Sequence, residues 1–188
     1  MTSRRKALAA ILILLAAAGF AVRYCLGGPR RLIEVSTSIV VPANQDTAWS
    51  AIVSFQEHEV AGRVPWAMSM GLPRPTRCAL EGRGVGAKRT CTFDVGSITQ
   101  RIERWDPPNG FEVSIVGANL PGRDWIDYVR ADYVFSKVEG GTRIVRSTTV
   151  ASRLRPAAYF DPLARFSLET EHLYLLRAVE ARLKGTTP

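Results

Sequence analysis

The stretch DPLARFSLETEHLYLLRAVEARLKG, residues 161–185, carries the longest helical pattern in the chain. Leu168, His172, Leu175, Leu176, Val179 and Leu183 recur at helical spacing as one stripe, while Thr170, Leu173, Arg177, Glu180 and Lys184 fall largely opposite. Asp161 is placed to cap the first turn, Pro162 stands at the first helical position and Gly185 follows the last turn. Glu180 and Lys184 form an i,i+4 pair. A helix with one apolar stripe must bury it against another element, and the chain before it supplies strands.

Residues 128–138 and 142–152 read as two long strands joined by Glu139-Gly140-Gly141, the first alternating Val129, Ala131, Tyr133 and Phe135 with Arg130 and Asp132. Four strands precede them, at about 76–81, 87–93, 97–105 and 111–116. Their separators are Gly82-Arg83-Gly84-Val85-Gly86, Asp94-Val95-Gly96 and Asp106-Pro107-Pro108-Asn109-Gly110, all too short for parallel crossovers. If the first two strands pair around Gly84-Val85, opposing residue numbers sum to 169 and Cys78 lies directly across from Cys91, within disulfide range in an oxidising compartment. Nearer the N-terminus, Ile33, Val35, Thr37, Ile39 and Val41 alternate with polar residues as a first strand. Pro42 ends it, and Asn44 caps a helix over 45–55 with Trp49, Ile52 and Val53 on one face. Residues 56–75 read as a short helix followed by an irregular apolar loop.

At 188 residues, 46% hydrophobic and 22% charged, the chain affords one domain with a sizeable core and is neither disordered nor fibrous. A net charge of +8 would raise nucleic acid as a partner. However, six of the 25 basic residues lie within 1–31, which hold no acid, so beyond them 19 face 17 acidic residues. No nucleic-acid partner is expected. The excess flanks residues 7–22, an uncharged run of 16 that reaches roughly 24 Å as a helix, short of a ~30 Å hydrocarbon core. Snorkelling of Arg23 extends the span through residue 26. The organisation is therefore a basic tail over 1–6, a transmembrane anchor over 7–26, a linker over 27–31 short enough to hold a domain against the bilayer, and a domain over 32–185. The alternative is a signal peptide cleaved near Ala16-Ala17-Ala18 or Gly19-Phe20-Ala21. A very short basic tail stays in the cytoplasm, which places the domain in the periplasm or outside the cell as part of a single-pass membrane protein.

The order of strand, helix, antiparallel strands and long C-terminal helix is α+β, with one curved antiparallel sheet wrapped around the last helix. Three stretches add to that order. They are Ile39-Val40-Val41-Pro42-Ala43 with Asp46, Thr47, Ala48 and Trp49, then Gly84-Val85-Gly86 before a strand, then Ile102-Glu103-Arg104-Trp105-Asp106-Pro107-Pro108. Together they resemble the START-like helix-grip superfamily, the SRPBCC group of polyketide cyclase/dehydrase and lipid-transport proteins, over about 32–185. The resemblance implies a cavity between sheet and C-terminal helix that binds a hydrophobic small molecule or lipid without a cofactor. Its candidate lining residues are Trp49, Trp66, Tyr133, Phe135, Arg146, Leu168, His172, Leu175 and Val179. Two other functions fit the same chain: a cyclase or dehydratase with His172 as base and Arg146 polarising a carbonyl, and an envelope module that binds a protein partner and no ligand.

The remaining chemistry is sparse. Two histidines, His58 and His172, without a Cys-x-x-Cys or His-Glu-x-x-His, do not make a metal site. Glu57, His58 and Glu59 read as a solvated turn, and Asp124 and Asp127 bracket Trp125 and Ile126 in a loop that fits a lid or, through Leu120-Pro121-Gly122, a plain turn equally well. Of Arg89, Arg101, Arg104 and Arg146 on strands, one facing inward would pair a ligand carboxylate, although such residues more often line the convex, solvated side of a sheet.

Overall fold

A computed structural model of the chain describes residues 2–56 and 64–185; the Glu57, His58 and Glu59 cluster lies outside them. The first element is a helix, α1 (Thr2–Leu26). Next come β1 (Arg31–Val41), α2 (Gln45–Val53) and a single turn, α3 (Trp66–Ser69). Six strands follow without interruption: β2 (Pro75–Glu81), β3 (Lys88–Phe93), β4 (Gly96–Asp106), β5 (Gly110–Asn119), β6 (Ile126–Val138) and β7 (Gly141–Ser152). The last element is α4 (Ala157–Gly185).

The seven strands form one antiparallel sheet in the order β1-β7-β6-β5-β4-β3-β2. Every neighbouring pair except β1 and β7 is a hairpin, as the short separators require. In the first hairpin Gly82, Gly84 and Gly86 all have positive φ, so the loop is open only to glycine at those places. Its register pairs Cys78 with Cys91 and the two are joined by a disulfide. The α2 cap also forms as expected, with Asn44 Oδ1 accepting from the Thr47 amide at 2.9 Å.

α4 lies across the sheet, and Leu168, His172, Leu175, Leu176, Val179 and Leu183 are all buried. It starts earlier than its sequence signals indicate. The Pro156 carbonyl accepts from Tyr159 and Phe160, so the helix begins at Ala157 and Asp161 is no cap. Asp161 instead accepts from Arg31 at 2.9 Å, and Pro162 lies inside the helix, where it removes one backbone bond.

A second departure from simple alternation shapes the interior. Ala131, Tyr133 and Phe135 of β6 point inward as expected, but the pairing with β7 slips between Tyr128 and Arg130. Because side chains alternate, one extra residue on β6 reverses the faces. Val129 thus gives up the inward position to Tyr128, which packs against the core with Ile126.

α1 contributes a different surface. Among the described residues no helix is long and apolar enough to cross a membrane. The side chains of Leu8, Ile11, Leu12, Ile13, Leu14, Leu15, Phe20 and Val22 are each more than half exposed. The end of α1 is nevertheless fixed to the domain. The Gly28 amide donates to Arg153 O, the Arg155 amide to Cys25 O and Arg155 Nη2 to Gly27 O, all at 2.7–2.8 Å.

Candidate functional site

Among the described residues, two voids lie between α4 and the sheet. The outer one has a volume of about 180 Å³ and is largely apolar. Leu72 and Pro73 after α3, Leu120 and Trp125 in the β5–β6 loop, Leu154, and Ala164, Ser167 and Leu168 of α4 enclose it. The inner one, about 20 Å³, holds roughly one water and is bordered by Arg89, Gln100, Tyr133, Arg146, Thr148 and Leu175. Tyr128 and Glu171 border both, so they form the wall between an apolar chamber and a polar floor.

The floor is built on a buried ion pair. Arg146 Nη1 donates to Glu171 Oε1 at 3.0 Å, while Nη2 lies 2.8 Å from Oε2. That second contact is out of line for a hydrogen bond, and Glu171 Oε2 and Arg146 Nε have no hydrogen-bond partner among the described residues. Burial alone would lower the Arg146 pKa; the Glu171 carboxylate outweighs it and raises the pKa above the usual guanidinium range. The same burial, reinforced by the Glu171 charge, pushes the Tyr128 phenol up, so it stays a neutral donor.

Arg89 is the second buried guanidinium. It donates from Nε to Val53 O at 3.2 Å, from Nη2 to Ile52 O at 2.8 Å and from Nη1 to Gln100 Oε1 at 2.8 Å. Two of these acceptors are the last carbonyls of α2, where a cation is favoured by the helix dipole. Its pKa is nevertheless lowered by burial, with the Arg146 charge adding to the effect. The Tyr133 ring lies between the two cations, 5.8 Å from Arg89 and 5.6 Å from Arg146.

The residues expected at the cavity divide between the two voids, the aromatic core, the surface and, for His172, a buried site of its own. Tyr133, Arg146 and Leu175 border the inner void and Leu168 the outer. Trp49 and Phe135 pack instead in an aromatic cluster with Trp105 and Phe111, with Trp49 ring centroids 4.9–5.5 Å from its neighbours, and Val179 belongs to the same core. Trp66 is exposed, its ring 6.0 Å from Phe166.

His172 is fully buried and borders neither void. Nε2 lies 2.8 Å from Thr148 Oγ1 and Nδ1 3.2 Å from Thr37 Oγ1. Burial, with the Arg146 charge behind it, pushes its pKa down to about 2. Arg146 is committed to Glu171, so the two groups named for carbonyl chemistry have other partners.

Glu171 and Tyr128 are the site residues that sequence reasoning missed as wall, whereas Arg89, named there among the strand arginines of which one would face inward, forms part of the floor. Glu171 had a readable signal, lying three residues after Leu168 and four before Leu175 on the same stripe.

No family model matches the chain, and no curated protein matches it. Solved structures do. SA2116 from Staphylococcus aureus, a protein of unknown function, superposes with a TM-score of 0.57 at 9% identity, covering 84% of this chain and 96% of its own. Ara h 8.0201 gives 0.53 at 14% identity, covering 83% of this chain and all of its own. Norcoclaurine synthase from Thalictrum flavum, solved with dopamine and hydroxybenzaldehyde, also gives 0.53, at 13% identity and with 85% and 90% covered.

Proposed function

On the helix-grip fold that this chain shares with those structures, we propose a membrane-tethered domain that binds a hydrophobic small molecule or lipid between its sheet and α4. The observation that carries this is the apolar outer void backed by a polar wall. Burial of an apolar body supplies affinity, and a few fixed polar groups supply orientation. At the wall of the outer void Glu171 presents Oε2, ion-paired to Arg146 but without a hydrogen bond, and Tyr128 presents a phenol donor, so the ligand is amphipathic with its polar end toward Glu171. At 180 Å³ the chamber is smaller than a typical ~300–1,000 Å³ drug-sized pocket, so an acyl or polycyclic ligand also displaces the β5–β6 loop or α3.

Tethering is supported by the apolar side chains of α1, which find no surface on the domain, and by the basic residues at both ends of the uncharged run. The Cys78–Cys91 disulfide supports an oxidising compartment, the periplasm or cell exterior, for the domain. Mass spectrometry of solvent extracts from gently purified full-length protein tests the binding. A bound apolar molecule is expected in near-equimolar amount from the parent and lost from Ser167→Trp, which fills the chamber from a half-buried position. Extracts empty from both proteins overturn the reading.

A further inference from the structure

The end of the domain that receives α1 is also the end at which the outer void opens. Leu154, which lines the void, sits between the two residues that hold the α1 junction, Arg153 and Arg155. The Arg153 amide donates to Trp125 O at 2.8 Å, which ties the lining loop to the same place. Around the opening, large apolar side chains are exposed that nothing among the described residues covers. Tyr159, Leu163 and Phe166 form an outward stripe on α4, Trp66 packs its ring 6.0 Å from Phe166, Met70 ends the same turn as Trp66, and Trp125 lies across the mouth; each is 44–78% exposed.

The charge of this end fits one occupant. The loops at residues 27–30, 120–125 and 153–156 carry Arg30, Arg123, Arg153 and Arg155 against Asp124 alone. Exposed aromatics backed by arginines suit the boundary between acyl chains and anionic headgroups. A junction held by three backbone-directed hydrogen bonds, with Arg155 stacked 5.0 Å from the Tyr24 ring, leaves the domain little freedom to turn this end away from α1.

We propose that the mouth of the cavity docks on an anionic bilayer surface through Trp66, Met70, Trp125, Tyr159, Leu163 and Phe166, so that ligand passes between membrane and cavity without crossing water. This rests on the tethered reading of α1.

The test uses full-length protein reconstituted into vesicles of phosphatidylcholine and phosphatidylglycerol, about three to one, with and without brominated acyl chains. Trp66 and Trp125 are the rim reporters, whereas Trp49 is buried and Trp105 half-buried in the aromatic cluster. Bromolipid is expected to quench the parent and Trp125→Phe, and most of the quenching is lost in the Trp66→Phe/Trp125→Phe double variant. Protein that floats with vesicles while Trp66 stays unquenched leaves the tether standing and overturns the docking. Quenching confined to Trp125 reports a brominated lipid inside the cavity and overturns it too. Protein that fails to float overturns the tether and, with it, the docking.

Discussion

His172 is the residue whose environment makes the sharpest demand on solution behaviour. In the unfolded chain it titrates near 6.5, whereas in the fold it stays neutral down to about 2. A depressed folded pKa gives stability that is whole above pH 6.5 and is lost as pH falls through the gap, at ~1.4 kcal/mol per pH unit. Urea unfolding should therefore show the parent about 2 kcal/mol less stable at pH 5 than at pH 7. His172→Gln keeps a side chain able to bond Thr37 and Thr148 and should flatten that dependence. Equal pH slopes in both proteins would place the acid-sensitive group elsewhere. Glu171 and Arg146 illustrate how far such groups were legible in sequence. The inward direction of Glu171 follows from helical spacing, as that of Arg89 follows from its alternation with Cys91 and Phe93. What spacing lacks is the partner, since Arg146 and Glu171 meet only when β7 and α4 pack.

Among the elements, the β2–β3 hairpin was the most predictable because its register depends on one short loop, and the pairing of Cys78 with Cys91 follows from that loop alone. The disulfide closes 13 residues of sequence and should contribute about 3 kcal/mol. Cys78→Ser/Cys91→Ser, or the reduced parent, should unfold at correspondingly lower urea, and an unchanged midpoint would mean the hairpin is as constrained without the bond. β6 was read well where it alternates and misread at Val129, because a bulge obeys pairing with the neighbouring strand rather than local pattern. That one residue decides which aromatic faces the cavity. The start of α4 was misplaced for a similar reason: Asp161 and Pro162 make a good local cap, but the Pro156 carbonyl and the pull of Arg31 on Asp161 extend the helix past it.

For the whole molecule, the α1 junction sets how α1 and the domain move together. A Cβ at Gly28 would stand 2.4 Å from the Arg153 carbonyl oxygen, so Gly28→Ala must push the linker off the domain. Tryptic cleavage after Arg30 or Arg31 should then accelerate several-fold while the sheet stays resistant; an unchanged rate would show that the hydrogen bonds there do not restrain the linker. The order of the sheet has a further consequence for how the protein is made. β1 lies at the edge and its one strand neighbour is β7, roughly a hundred residues later in synthesis. While the rest of the chain is still emerging, β1 presents unpaired backbone and an apolar face. Until residue 152 arrives, that strand has no sheet neighbour and is open to pairing with the nascent strand of a neighbouring chain.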